Sequence, residues 1–310
     1  IALDQLHEMQ GIKATLLLEP SARNTAPALT FAALQAVKEG NDPILVVTPA
    51  DQTVQDPRRF TDALQRSIRV AASGSIVILG ITPDKPETGY GYIKRQGAVG
   101  AMGEYAVAQF AEKPDLETAK AYLEAGDYAW NGGMFVVRAS IWLKALKEFR
   151  PDILGAAEKA CVSQTKDAPF VRPDKNLFSN IPSESIDHAV MEKCPGSGID
   201  IKMVPLDAGW NDLGAWDAVW QVGQADLNGN VTNGDSLLAD TTNTYVHSSS
   251  RLVSTVGVNN LIVIETADAV LVADKSQSQH VKKIVSQLAA KNRSEDNLHR
   301  KVHRPWGWYD

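Results

Sequence analysis

The chain has 310 residues, is 44% hydrophobic and carries a formal charge of −6 at pH 7, which allows one large domain with an appendage and a substantial buried core. Acidic and basic residues are interspersed, with no basic run of the kind that tracks a phosphate backbone, which argues against a nucleic-acid surface. No stretch reaches the roughly 18 apolar residues of a membrane span, no signal peptide is visible, and Cys161 and Cys194 are too few for a disulfide framework, so the expectation is a soluble protein of a reducing cytoplasm.

The chain starts at Ile1 and not at Met, so its N-terminus reads as trimmed. The first half then alternates short apolar runs with helical patterns: a strand at 15–18, a helix at 26–39, a strand at 44–48, a helix at 60–73 and a strand at 76–81. That alternation predicts a parallel sheet covered on both faces. A strand at 105–110, a helix at 116–125, a strand at 134–137 and helices from Ser140 to about Ala160 follow. Residues 163–182 are polar and irregular and read as a surface excursion. A helix at 186–191, a strand at 202–205 and a helix from Trp216 to Val222 complete the larger body.

Beyond Gly229 the pattern changes to short β-rich runs without helices, at 236–238, 244–247, 252–255, 261–265 and 269–272. This predicts a small all-β appendage, either a β-helix or a sandwich. A helix over 276–290 and a charged linker over 291–304 precede Arg304–Pro305–Trp306–Gly307–Trp308–Tyr309, which is too aromatic for a disordered tail. The predicted boundaries are 1–225 for the main domain, 226–275 for the β-rich domain, and 276–310 for helix and linker.

Several short clusters carry chemistry-bearing residues. Asn24 or Thr25 caps a helix with Pro27 in its first turn, and the free amides there, with Arg23 alongside, also suit an anion or a base. Asp51 stands just past an apolar strand, where it either caps the following helix or meets a hard metal bound to phosphates. Gly89–Tyr90–Gly91 lets backbone approach a ligand or forms an ordinary hairpin. Glu112–Lys113–Pro114 ends a strand with an acid beside a base, either a surface pair or two groups reaching one pocket, Asn131–Gly132–Gly133 suits close backbone approach to hydroxyls or a structural turn, and Asp212 sits in an apolar loop where an acid needs a partner.

The order of these clusters is more specific than any one of them. Glu-Pro-x-x-Arg-Asn-Thr-Ala-Pro-Ala from Glu19, Pro-Ala-Asp at Asp51, Glu-Thr-Gly-Tyr-Gly-Tyr-Ile from Glu87, Phe-x-Glu-Lys-Pro from Phe110, Trp-Asn-Gly-Gly-Met-Phe from Trp130 and Gly-Trp-Asn-Asp-Leu-Gly-x-Trp from Gly209 together resemble bacterial mannose-1-phosphate guanylyltransferases. The closing Arg-Pro-Trp-Gly-x-Tyr resembles the start of the cupin isomerase domain of the bifunctional members. The resemblance implies an α/β fold, a Rossmann-like, GT-A-like nucleotidyltransferase with a mixed sheet and a small C-terminal β-helix-like domain. It implies GTP and mannose 1-phosphate as substrates, giving GDP-mannose and pyrophosphate for polysaccharide biosynthesis. It places Mg²⁺ on Asp51 and Asp212, Lys113 on the sugar phosphate, Glu112 and Asn131 on mannose hydroxyls, the Gly89–Tyr90–Gly91 loop over the sugar, and Arg23, Asn24 and Thr25 near the guanine.

The family's opening strand and its Gly-Gly-x-Gly-Thr-Arg loop have no counterpart ahead of Glu19, so the chain by itself is expected to be inactive. The alternatives are a sugar-1-phosphate nucleotidyltransferase for a different sugar or nucleotide, and a non-catalytic sugar-nucleotide-binding protein. The β-rich appendage and the aromatic end are candidate surfaces for homo-oligomer formation.

Overall fold

The computed structural model describes residues 5, 6, 8, 9, 11–38, 40–291 and 293, together with strands at 302–304 and 307–309. Most of the expected linker over 291–304 lies outside the described residues, and the expected aromatic end is described only as a strand pair. The chain forms two compact units, residues 1–50 with 56–210, and residues 51–55 with 211–310.

The first unit runs β1 (Leu16–Leu17), α1 (Thr25–Val37), β2 (Ile44–Val47), α2 (Pro57–Ala72), β3 (Ile76–Ile81), β4 (Tyr92–Gln96), β5 (Tyr105–Ala111), α3 (Leu116–Ala125), β6 (Tyr128–Arg138), α4 (Ala139–Phe149), α5 (Pro151–Val162), β7 (Thr165–Asp167), β8 (Phe170–Arg172), α6 (Lys175–Ser179), α7 (Ile186–Ala189) and β9 (Ile201–Leu206). Helix α2 shows why these residues fold locally as they do. The Asp56 carboxylate accepts the amides of Arg58 and Arg59, Pro57 supplies a preset first turn, and Ala63, Ser67, Val70 and Ala71 bury one face. Asp56 is therefore the cap of this helix, a role that the sequence left open for Asp51. Helix α1 is enclosed more completely, and its Thr30 hydroxyl, itself donating to the Ala26 carbonyl, accepts the indole N–H of the fully buried Trp142 in α4 at 3.1 Å. A buried hydroxyl and indole satisfy each other there, as a dry core requires.

The main sheet has the order β2-β6-β3-β9-β5-β4, with β4 also pairing to the start of β6. It is mixed: β3 and β9 run parallel, whereas β6 is antiparallel to β2, β3 and β4. The strands at 44–48 and 76–81 are therefore not parallel neighbours, because β6 inserts between them. The alternating strand–helix pattern could not reveal this, since β6 arrives from about 50 residues downstream. β1 is no part of this sheet either. It pairs in parallel with β8, and β8 pairs antiparallel with β7. The supposed irregular excursion at 163–182 is thus a short hairpin followed by helix α6, and the expected strand at 134–137 is the end of an eleven-residue strand.

In the second unit, β10 (Val231–Asn233), β12 (Tyr245–Ser248) and β14 (Leu261–Glu265) stack in parallel, as do β11 (Ser236–Ala239) and β13 (Val253–Val256), while β15 (Val270–Asp274) closes the first stack antiparallel. Successive coils laying strand upon strand on two faces make a short β-helix, one of the two forms expected. Its corners use left-handed residues at Asp240, Asn243 and Asn260, which short polar side chains tolerate. Val231, Tyr245, Ile262 and Ile264 fill its interior against Trp216 and Trp220 of α8 (Trp216–Val222).

Candidate functional site

The Trp130–Asn131–Gly132–Gly133 stretch lies where β6 changes neighbours. Its start, 128–130, pairs with β4, and its end, 135–138, pairs with β2. Against β3 the register runs from Phe135 opposite Ile78 to Asn131 opposite Gly80, so β6 carries two extra residues in a bulge. Glycine is needed at both extra positions. Gly133 has φ +67°, and a Cβ on Gly132 would stand 3.0 Å from the Leu79 carbonyl oxygen. The bulge turns Asn131 out of the ladder, and its amide is then fixed from both ends: Oδ1 accepts the Gly133 amide at 3.0 Å and Nδ2 donates to Asp187 Oδ1 at 2.8 Å.

Five sequence-derived candidates gather around Asn131 here. The Asn131 amide donates to the Gly91 carbonyl at 2.8 Å, and the Lys113 amide donates to the Tyr90 carbonyl at 3.2 Å, so the Gly89–Tyr90–Gly91 loop is fastened to the segment just past β5 and to the bulge of β6. A Cβ on Gly91 would lie 2.6 Å from Glu112 Oε2; the glycine is there because the carboxylate packs on bare backbone. Tyr90 stacks edge-on between Trp130 and Trp210, with ring centroids 5.2 and 5.5 Å away. Lys113 takes a left-handed backbone, φ +48°, which departs from strand geometry and lets its ammonium reach Glu112 Oε1 at 2.6 Å. That bond holds the Lys113 ammonium above the usual lysine range. Glu112 Oε2 is buried and has no hydrogen-bond partner among the described residues, an acceptor that ordinary packing would not leave bare.

Asp187, in the first turn of α7, was not singled out from the sequence. Burial first, and then the neighbouring Glu112 charge, push its carboxyl up to about 6, only partly opposed by the Asn131 bond and by Lys113. In sequence it stands two residues after Ser185, the helix cap whose hydroxyl accepts the His188 amide, and acids at helix starts are ordinary. Nothing local distinguished it. Asp187 also walls a cleft of about 710 Å³ whose other sides include Thr25, Leu45, Thr48, Gly133 and Phe135.

The Arg23–Asn24–Thr25 group turns out to be engaged within the fold. Asn24, at φ 65°, caps α1 by accepting the Thr25 amide. The Thr25 hydroxyl accepts the Ile186 amide at 2.9 Å, and the Arg23 guanidinium donates to the Ser179 carbonyl. Thr25 thereby anchors the turn that presents Asp187.

Asp51 and Asp212 belong to the second unit. Thr53 and Asn211 form an antiparallel bridge, exchanging amide–carbonyl bonds of 2.9 and 3.0 Å, so the two segments that carry these acids lie side by side. Asp212 Oδ1 accepts the Gly214 amide at 3.0 Å, and Leu213 takes a left-handed backbone at φ 52°. Among the described residues no group of three or more His, Cys, Asp or Glu side chains is arranged to hold a metal. Two hard carboxylate donors without nitrogen or sulfur fit Mg²⁺, which takes one or two carboxylates and draws its other ligands from water and substrate phosphates. Arg23, Asn24 and Thr25 thus flank the Asp187 turn, and Gly89, Tyr90, Gly91, Glu112, Lys113 and Asn131 converge. Asp51 and Asp212 stand on the two segments that the Thr53–Asn211 bridge joins in the second unit.

Known proteins match the chain in both sequence and structure. The "Nucleotidyl transferase" family profile matches residues 2–229, and the profile of the "MannoseP isomerase/GMP-like beta-helix domain" matches residues 234–288. The chain is 46% identical over its whole length to the mannose-1-phosphate guanylyltransferase of Escherichia coli, and 47% identical to the xanthan biosynthesis protein XanB of Xanthomonas campestris. It spans 65% of the length of each of these relatives. The crystal structure titled mannose-1-phosphate geranyltransferase, from Thermus thermophilus, superposes with a TM-score of 0.79 at 32% identity, covering 93% of this chain and 81% of that one. One titled mannose-6-phosphate isomerase, from Helicobacter pylori, gives 0.61 at 32% identity, covering 68% and 80%.

Proposed function

The chain belongs to the nucleotidyl transferase family, and from that premise we propose that it carries the guanylyltransferase part of an enzyme that joins mannose 1-phosphate to GTP, releasing pyrophosphate. The observation that carries the reading is the convergence of Glu112, Lys113 and Asn131 on one spot, with a buried acceptor, Glu112 Oε2, left for a ligand. A sugar hydroxyl donates to that oxygen, and the Lys113 ammonium attracts the phosphate. Asn131, locked at both ends, offers its second amide proton to a hydroxyl oxygen. In the reaction a phosphate oxygen of the sugar forms a bond to the α-phosphorus while the bond to the β-phosphate oxygen breaks in line, so catalysis is chiefly positioning and charge neutralisation. Asp51 and Asp212 would hold Mg²⁺, which supplies that neutralisation on the triphosphate when bound. The names of the relatives, guanylyltransferase and xanthan biosynthesis protein, support GTP as the nucleotide and polysaccharide precursors as the purpose.

The test is a pyrophosphate-release assay on the open reading frame at the length of its relatives. GTP with mannose 1-phosphate should turn over, whereas UTP, dTTP or glucose 1-phosphate should be at least about tenfold poorer. Asp212→Asn and Asp51→Asn should each lower kcat by about 100-fold or more. Equal turnover with UTP and glucose 1-phosphate would assign the chain to a different nucleotide sugar.

A further inference from the structure

Asp187 lies within hydrogen-bond distance of Asn131, which the proposed function uses, yet no motif points to it. Its surroundings do not explain it as a structural acid. Oδ1 receives the Asn131 amide at 2.8 Å, and among the described residues no cation forms an ion pair with it. The ammonium close to the cluster, Lys113, is bonded to Glu112 at 2.6 Å. The other titratable groups nearby are occupied elsewhere. On its own helix His188 pairs with Glu192 at 2.9 Å, and ahead of it Glu184 pairs with Arg150. From α1 the contact is Thr25, whose hydroxyl is committed to the Ile186 amide. Two carboxylates therefore share one ammonium, giving the cluster a formal charge of about −1 with both acids ionised, while the bulge in β6 and the Thr25 anchor hold both acids in place. A carboxylate kept largely buried against another of like charge costs stability unless something bound later repays it.

We propose, building on the sugar-phosphate reading above, that Asp187 is a specificity-determining residue: with Glu112 it accepts hydroxyl protons of the sugar ring, and through its bond to Asn131 it sets which face of that amide the sugar meets. The logic is donor–acceptor matching. Two acceptor carboxylates and one amide N–H are complementary to neighbouring hydroxyls, each of which donates once and accepts at least once. A sugar lacking such a hydroxyl leaves a buried acceptor unpaired, and a sugar bearing a ring carboxylate adds a third negative charge to a site that already holds an excess of one. The subsite thus selects neutral polyols over uronic acids, and the phosphate is left to Lys113. The raised Asp187 carboxyl follows from burial first and then from the neighbouring Glu112 charge, and donation from sugar hydroxyls offsets both.

Calorimetric titration of mannose 1-phosphate into the full-length protein, with wild type and Asp187→Asn side by side, tests this. The variant should bind mannose 1-phosphate about 10- to 100-fold more weakly while GTP affinity stays unchanged. Between about pH 7.5 and 5 wild-type affinity should fall more than that of Asp187→Asn; the ligand's own phosphate ionisation, with a second pKa of about 6, is common to both and cancels in the difference. Asp187→Glu, which keeps charge and acceptor, should retain the pH difference even where its longer side chain weakens binding. Asp187→Asn binding as tightly as wild type, with a superimposable pH profile, would overturn the role of Asp187 and leave the guanylyltransferase reading intact. Wild type failing to bind mannose 1-phosphate, while binding another sugar phosphate that Asp187→Asn binds equally well, overturns both.

Discussion

Gly91 shows how a single hydrogen atom sets the geometry of a carboxylate. With Glu112 Oε2 2.6 Å and Asn131 Cβ 3.2 Å from the position of an added Cβ, Gly91→Ala forces the Glu112 side chain off its perch while leaving the strands in place. The expected result is a loss of stability of at most about 1 kcal/mol with mannose 1-phosphate affinity reduced at least tenfold, read by chemical denaturation and calorimetry on the same protein. Asp187 gives the opposite signature. Its carboxyl sits at about 6 in the fold against an ordinary 3.8, so the folded state favours its proton: the contribution is fully present below pH 3.8 and is lost as pH rises through 6. Asp187→Asn should accordingly raise the melting temperature of the unliganded protein at about pH 7.5 and leave it unchanged near about pH 3.5. A buried acid with a raised carboxyl beside a specific charge partner is a common mark of a functional group.

At the scale of elements, β6 does most to build the site. Its two-residue bulge lets one strand serve β4 at its start and β2 at its end, and both glycines in it are steric requirements. Gly132→Ala drives a Cβ against the Leu79 carbonyl and should cost about 1–3 kcal/mol, with a matching loss of sugar-phosphate binding as Asn131 shifts. The cap of helix α2 offers a control that shares no hydrogen bond with Asn131: Asp56→Ala removes the acceptor of two amides and should cost about 1 kcal/mol without touching that affinity. Urea titrations of the pair separate the two kinds of damage. Most helices and most strands were legible in the sequence because their apolar spacing and punctuation are local. The hairpin of β7 and β8 escaped because its strands are three residues long and largely exposed or polar, so no period could show.

For the molecule as a whole, the two units answer acid differently. In the β-helix, Glu265 accepts the amides of Ser249, Ser250 and Arg251, the Ser250 hydroxyl and the Arg251 guanidinium, and these bonds, the Ser250 hydroxyl foremost, pull its carboxyl down to about 2. A depressed carboxyl contributes stability above its ordinary 4.5 and loses it as pH falls toward 2. Glu265→Gln should therefore unfold at lower temperature than wild type at about pH 7, with the gap closing as pH approaches about 2, as calorimetry over a pH series would show. Family, fold class and the order of the candidate clusters were legible in the sequence alone, because glycines, prolines and acids at strand ends have to stand at particular places along the chain and their order survives without coordinates. Only the tertiary structure decided that β6 lies between β2 and β3, that Thr25 and Arg23 are engaged in holding neighbouring segments, and that Asp187 joins Glu112 and Asn131 in one cluster. Each of these depends on segments tens of residues apart meeting in space, where like charge, burial and an unpaired oxygen acquire meaning that no stretch of sequence contains.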